Sequence, residues 1–387
     1  MTSIDTEPGR AHLPSLTSLR FFAALVVLMR HTVPDIYPLP GLLELSLIGP
    51  IGVGFFFVLS GFILTWTWKP LERRRYFYMR RVARIVPLHV LTTVVAAALL
   101  ISAGTPLWLS TLVSLFLLQA WLTEPFRLGG NSPSWSLSVE AFFYALFPFI
   151  VRPLSRLSIR RCASVILAAG ALMAIWTIWY AVASKAGVPF LSAFSGYTNP
   201  VYRLGEFVIG VALAFAMRQG WRLRLSAGRA VWIAIGSYVA LAALNATVIR
   251  LDLTFGGTAG LPLSVLDLIY LPVTVMLVAA AAGADLDGKR SPLRGTALVR
   301  LGEWSFALYL VQAIVIGQAM KFVSPETLSV QNAAVATSVA VVSVVLSAAL
   351  FHWFEKPIEG AWKRKQRALT AAAGPTVERT TDDAYRA

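Results

Sequence analysis

The sequence predicts an all-α, polytopic membrane helical bundle of about ten transmembrane helices plus one re-entrant or interfacial helix. Two observations carry this. Apolar runs of about 20 residues, the length that crosses a hydrocarbon core, recur along the whole chain. Of the 387 residues, 57% are hydrophobic and only 14% charged, against about 25% charged in a soluble domain. Only helices or closed barrels satisfy their backbone hydrogen bonds in lipid, and these runs are too long and too continuously apolar for barrel strands.

The first run, 16–34, follows Asp5 and Glu7 rather than a basic cluster, and it contains Arg20, Arg30 and His31. No small-residue cleavage site follows it, so it reads as a retained helix rather than a signal peptide. The further spans are 48–68, 85–103, 136–151, 162–183, 201–217, 230–249, 261–282, 301–323 and 333–354, with a shorter candidate at 107–121. Charge decides the shorter one. If 107–121 dips in without crossing and both termini are cytoplasmic, all but six of the 34 Lys and Arg fall on the inner side. If it crosses, every later loop flips and the asymmetry is lost. The expected organisation is a cytoplasmic segment 1–15, a membrane domain 16–358 and a disordered cytoplasmic tail 359–387.

The same asymmetry accounts for the net charge of +15. The basic residues sit in short loops beside apolar spans, which suits topology and anionic lipid headgroups, and no nucleic-acid partner is expected. A single cysteine, Cys162, excludes a disulfide framework and a Cys-based metal site, and no metal is expected. The chain has no internal repeat and no pair of matching broken helices, which weakens a transporter reading.

Ionisable groups inside membrane helices are costly and therefore candidates for function. By depth along the expected spans, His31, Glu140, Arg203, Glu206 and Asp267 fall together in the outer half, which suggests one shared polar pocket. Arg20 lies eleven residues before His31, on nearly the same helix face and about 16 Å away along the axis. The densest basic cluster, in KPLERRRYFYMRRVARIVP, lies at the inner surface near Arg20. Structural alternatives stand beside these readings. Glu140 would serve equally as the partner of a buried arginine such as Arg203, Glu206 pairs naturally with Arg203 three residues earlier, and the basic run doubles as a topology signal. Ser60 has no base visibly tied to it and is set aside as a nucleophile. His12 and His89 read as surface or interfacial, and His352 as structural.

Six segments in order carry a resemblance. SLRFFAALVVLMRH, GVGFFFVLSGFIL, MRRVARIVP with Arg81 and Arg84, WSLSVEAFFYALFP, RLGEFVIG and LGEWSFALYLVQ resemble the motifs of the acyltransferase family 3 membrane proteins. The likeness runs from about residue 13 to 358. It departs at Gln312, where many members carry a histidine.

The resemblance implies a bacterial inner-membrane enzyme. It would move an acyl group, acetyl in the common case, from cytoplasmic acyl-CoA to a hydroxyl on a cell-surface polysaccharide, lipid-linked glycan or macrolide acceptor. No bound cofactor is implied, and acyl-CoA (acetyl-CoA) is a co-substrate. On this reading Arg20, Arg81 and Arg84 bind acyl-CoA. His31 acts as base or covalent carrier, because an alcohol attacking a thioester needs a group that titrates near neutrality. Glu140 orients it. Trp135, Ser136, Tyr144, Arg203 and Glu206 shape or support the acceptor pocket. The rival class, a non-enzymatic transporter or glycan flippase, predicts a path open to both sides and no acyl-CoA turnover.

Overall fold

The computed structural model describes residues 12–70, 72–102, 108–123, 126–185, 197–255 and 258–372. The helices are α1 (Pro14–Ile36), α2 (Leu42–Leu47), α3 (Ile51–Trp66), α4 (Arg74–Ser102), α5 (Trp108–Leu115), α6 (Trp135–Leu154), α7 (Ile159–Lys185), α8 (Pro200–Arg218), α9 (Ala227–Arg250), α10 (Leu263–Leu286), α11 (Thr296–Ala319), α12 (Val330–Leu350) and α13 (Lys356–Ala372). A π-helical turn, Phe351–Glu355, joins the last two. A two-residue ribbon, β1 (Thr254–Phe255) against β2 (Thr258–Ala259), closes the loop after α9. Among the described residues nine helices are long and apolar enough to cross a membrane. The chain is a multi-pass, all-α membrane protein.

The expected span at 48–68 is α3, with only 16 residues. At about 1.5 Å per residue it is shorter than a bilayer core, and it survives because protein rather than lipid surrounds it. Thirteen of its residues are buried. Its closest neighbour is α8. A Cβ on Gly61 would lie 2.0 Å from the Phe207 carbonyl oxygen, and one on Gly210 would lie 2.0 Å from that of Val58. Small residues let the two backbones touch, which is how membrane helices gain packing without a hydrophobic drive between them. The outer helices instead turn apolar side chains to lipid, as with Leu167 of α7 at 74% exposure.

One end of the bundle gathers the basic segments. There Arg218 Nη1 donates to the Thr65 carbonyl at 2.9 Å, Ser15 donates to Asp285 at 2.8 Å, and Arg84 pairs with Glu355 and Glu359. This basic end holds the start of α4, which begins eleven residues before the expected span because its first turns, carrying Arg80, Arg81 and Arg84, are helical but not apolar.

The re-entrant expectation at 107–121 takes the form of the eight-residue α5 and a short turn, Gln119–Trp121; residues 103–107 lie outside the described set. The chain reverses at Leu117, whose φ of 58° is a left-handed conformation. Side chains satisfy the irregular backbone, as a buried non-helical stretch requires. His89 Nε2 contacts the Ser114 carbonyl at 2.8 Å, Ser138 donates to the Leu117 carbonyl at 2.6 Å, and Asn131 Nδ2 donates to the Leu310 carbonyl at 2.9 Å. His89 was expected at a surface or interface; it is fully buried, because this reversal needs a polar partner inside the bundle. The expectation of a disordered tail from 359 is also corrected, since α13 continues to Ala372 and packs on α4. Residues 373–387 lie outside the described set.

Candidate functional site

A cavity of about 390 Å³ opens among α1, α3, α4, α6, α11 and α13. Arg80, Arg81 and Arg84 of α4 and Glu359, Trp362 and Lys363 of α13 line the basic end. Arg20, Ser60, Glu140 and Tyr144 follow further in, with Val53, Phe57, Ser136 and Tyr309 among the remaining walls. Five basic side chains thus face two carboxylates, and the remaining lining is largely apolar.

The α6 face is set by helical spacing, since Ser136, Glu140 and Tyr144 are four residues apart and project to one side. Glu140 accepts hydrogen bonds from Ser60 Oγ at 3.2 Å and, closely, from Tyr144 Oη. Ser136 Oγ donates to Tyr309 Oη at 2.9 Å, and Tyr309 donates in turn to the Pro133 carbonyl at 3.1 Å. The cations differ in how they are held. Arg80 is clamped by Glu72, with Nη2 2.5 Å from Oε2. Arg84 is clamped by Glu359, with Glu355 at 3.8 Å. Among the described residues Arg20 and Arg81 have no carboxylate within ion-pair distance. Arg81 rests on the Phe77 and Tyr144 rings at 5.8 and 5.7 Å from their centroids, and its buried Nε has no hydrogen-bond partner.

Arg203, Glu206 and Asp267 form a separate, closed cluster. Arg203 Nη1 lies 2.7 Å from both Glu206 Oε1 and Asp267 Oδ2, and its Nε donates to the Tyr197 carbonyl at 2.6 Å. The guanidinium is fully buried against the rings of Tyr197, Tyr202, Phe57 and Trp135, nearest Tyr197 at 4.1 Å. Gly54 makes room for it, because a Cβ there would lie 2.7 Å from Glu206 Oε1. Trp135 packs edge-on to Phe57 and Tyr197, so it stands between this cluster and the cavity.

The single outer pocket expected for His31, Glu140, Arg203, Glu206 and Asp267 is therefore divided. The three members of the ion cluster are together. Glu140 is on the cavity instead, because α6 starts inside the bundle beside Leu310 rather than at the membrane surface. That lowers Glu140 to the level of Arg20. His31 is not among the residues lining the cavity. It sits further along α1, with Nδ1 buried and without a hydrogen-bond partner, and no contact joins it to Glu140 among the described residues. Gln312 is buried, and its Nε2 donates to the Tyr309 carbonyl at 3.2 Å.

Sequence reasoning missed Ser60 as a partner of Glu140, and it missed α13 altogether. A signal for α13 existed, since Glu359, Trp362 and Lys363 stand at i, i+3 and i+4 and would share a helix face. Among the described residues no group of three or more His, Cys, Asp and Glu could hold a metal.

Residues 13–352 match a family model described as an acyltransferase domain. Acyltransferase MdmB of Streptomyces mycarofaciens is 33% identical, covering 96% of this chain and 98% of the relative. Nodulation protein 10 of Rhizobium leguminosarum bv. viciae is 26% identical over 81% of this chain and 85% of its own. Exopolysaccharide production protein ExoZ of Rhizobium meliloti (strain 1021) is 27% identical over 84% and 93%. No solved structure matches the chain.

Proposed function

This chain belongs to the acyltransferase 3 family and is a membrane acyltransferase; from that premise we propose that it carries an acyl group from acyl-CoA to a hydroxyl of a sugar-bearing acceptor. The observation that carries the reading is the cavity, cationic at its mouth and apolar further in. Acyl-CoA has that polarity: phosphates at one end, a long uncharged arm, and an acyl thioester at the tip. Arginines suit the phosphates because their forked N–H groups make charge-assisted pairs. Arg81 is poised for this, with a buried N–H that has no partner among the described residues. Arg20, further in and without a carboxylate partner among the described residues, meets the arm or the thioester.

In the reaction the acceptor oxygen attacks the thioester carbonyl carbon. The C–O bond forms, the C–S bond breaks, and the hydroxyl proton passes through the base to the departing sulfur. We assign the base to His31, whose buried Nδ1 has no partner among the described residues and which shares a helix face with Arg20. The arm extends along that face from the cavity. Glu140, held by Ser60 and Tyr144, acts on the donor side near Arg20 rather than as the orienter of His31. A second assignment, Glu140 as base, is favoured by its place on the cavity wall. A covalent acyl-His31 carrier is a variant of the first.

The asymmetry of basic loops supports a cytoplasmic basic end, with both termini inside, in a bacterial inner membrane. Exopolysaccharide in the name of one relative supports a glycan acceptor, with a lipid-linked sugar or macrolide as the other forms considered. Acetyl is taken as the acyl group. The membrane domain is taken as 16–358, after a short N-terminal segment, with α13 running beyond it and completing the cavity mouth.

The test is thiol release from acetyl-CoA by detergent-purified protein beside His31→Ala and Glu140→Gln, each eluting monodisperse. Turnover in wild type that His31→Ala abolishes supports the first assignment. Turnover that only Glu140→Gln abolishes moves the base to Glu140. A wild type that neither binds nor turns over acyl-CoA refutes the acyl-CoA donor.

A further inference from the structure

The cavity mouth contains an aromatic side chain that neither the transfer chemistry nor the bundle requires. Trp362 projects from α13, beyond the last long helix, and lines the cavity beside the arginines of α4. It is half-buried and, among the described residues, stacks on no other ring. Lys365 Nζ lies 5.3 Å from its ring centroid, and Lys363, one residue along, also lines the mouth. The π-helical turn before α13 carries an extra residue per turn, which reorients the face bearing Glu359, Trp362 and Lys363 toward α4. An indole ring with a lysine near its face, sharing a cavity entrance with further cations, has the composition of a site for a phosphorylated base: the ring stacks on the base and the cations meet the phosphates.

We propose that Trp362 is the platform on which the adenine of the donor stacks, with Lys363 beside it contributing charge to the neighbouring phosphates. This rests on acyl-CoA being the donor, and it extends the site from the membrane domain onto the C-terminal helix. The phosphates then span from Lys363 to Arg81, and the uncharged arm enters between Arg20 and Glu140. No covalent step involves Trp362; its contribution is affinity for the nucleotide half of the donor.

Adenosine 3′,5′-bisphosphate, the nucleotide end of CoA without arm or acyl group, tests this without turnover. Its equilibrium binding is measured by calorimetry on wild type, Trp362→Ala and Trp362→Phe in detergent, each checked for monodisperse elution. Stacking on an aromatic side chain predicts a loss of affinity of roughly 5- to 150-fold for Trp362→Ala and a much smaller one for Trp362→Phe. In parallel, the ratio of kcat/KM for acetyl-CoA to that for acetyl-pantetheine, which lacks the nucleotide, falls by a similar factor in Trp362→Ala. Unchanged bisphosphate binding in Trp362→Ala overturns the proposal, as does equal loss of activity with both donors. A wild type that binds the bisphosphate through Trp362 yet transfers no acyl group keeps the subsite and refutes the transfer reading. A wild type that does not bind the bisphosphate refutes the subsite.

Discussion

Arg203 is the largest fully buried side chain among the described residues, and its position shows how one residue's charge is accommodated within a bundle. Two carboxylates meet one guanidinium, and four aromatic rings surround it. Removing the cation would strand Glu206 and Asp267, and breaking a buried pair costs about 3–5 kcal/mol. Arg203→Met is therefore expected to unfold at lower temperature in detergent, and Arg203→Lys to recover only part of the loss, since an ammonium lacks the planar fork. Donor affinity should change little in whatever folds, because Trp135 and Phe57 separate the cluster from the cavity; a selective loss of donor binding would contradict this. At this scale the sequence told the kinds of residue better than their groupings. The Arg203–Glu206 pair was legible from i, i+3 spacing. The partners of Glu140 were not, because Ser60 is eighty positions away and only the tertiary fold brings it near.

Helices were legible to the extent that they were apolar. Spans of lipid-facing residues, such as α7 and α12, announced themselves, whereas the first turns of α4 and all of α13 were hidden because hydropathy does not register polar helix. The depth of α6 was misjudged for a related reason: the irregular chain before it lies within the bundle, held by side-chain hydrogen bonds that no hydropathy window records. Two predictions belong here. Gly61→Ala or Gly210→Ala would press a methyl against a backbone carbonyl at the α3–α8 crossing, costing roughly 1–3 kcal/mol, seen as a lower unfolding midpoint. Glu359→Gln removes the carboxylate that occupies Arg84, freeing that guanidinium for phosphate. Affinity for adenosine 3′,5′-bisphosphate should rise several-fold; a fall would mean that Glu359 chiefly anchors α13.

Over the whole molecule, the fold class followed from composition, and charge supplies the orientation that we propose for it. The basic end seen in the structure corresponds to the side the charge asymmetry assigned to the cytoplasm. Cysteine labelling checks that assignment cleanly, because the native Cys162 is fully buried. A cysteine at Glu326, in the loop before α12, should react with an impermeant maleimide in intact cells, and one at the exposed Lys289 only after the cells are opened. The reverse pattern would invert the protein. The distribution of charge around the cavity also has an electrical consequence. Moving one elementary charge across a membrane at 100 mV involves about 2.3 kcal/mol. With most cations of the cavity gathered at its mouth, the phosphates of the proposed acyl-CoA donor would stay outside the field and only a neutral arm and acyl group would enter it. The proton lost by the acceptor leaves with the sulfur at the same carbon. Acyl transfer in sealed vesicles should thus run at the same rate whether the membrane is polarised or not, as an electroneutral crossing that draws no work from the cell's potential.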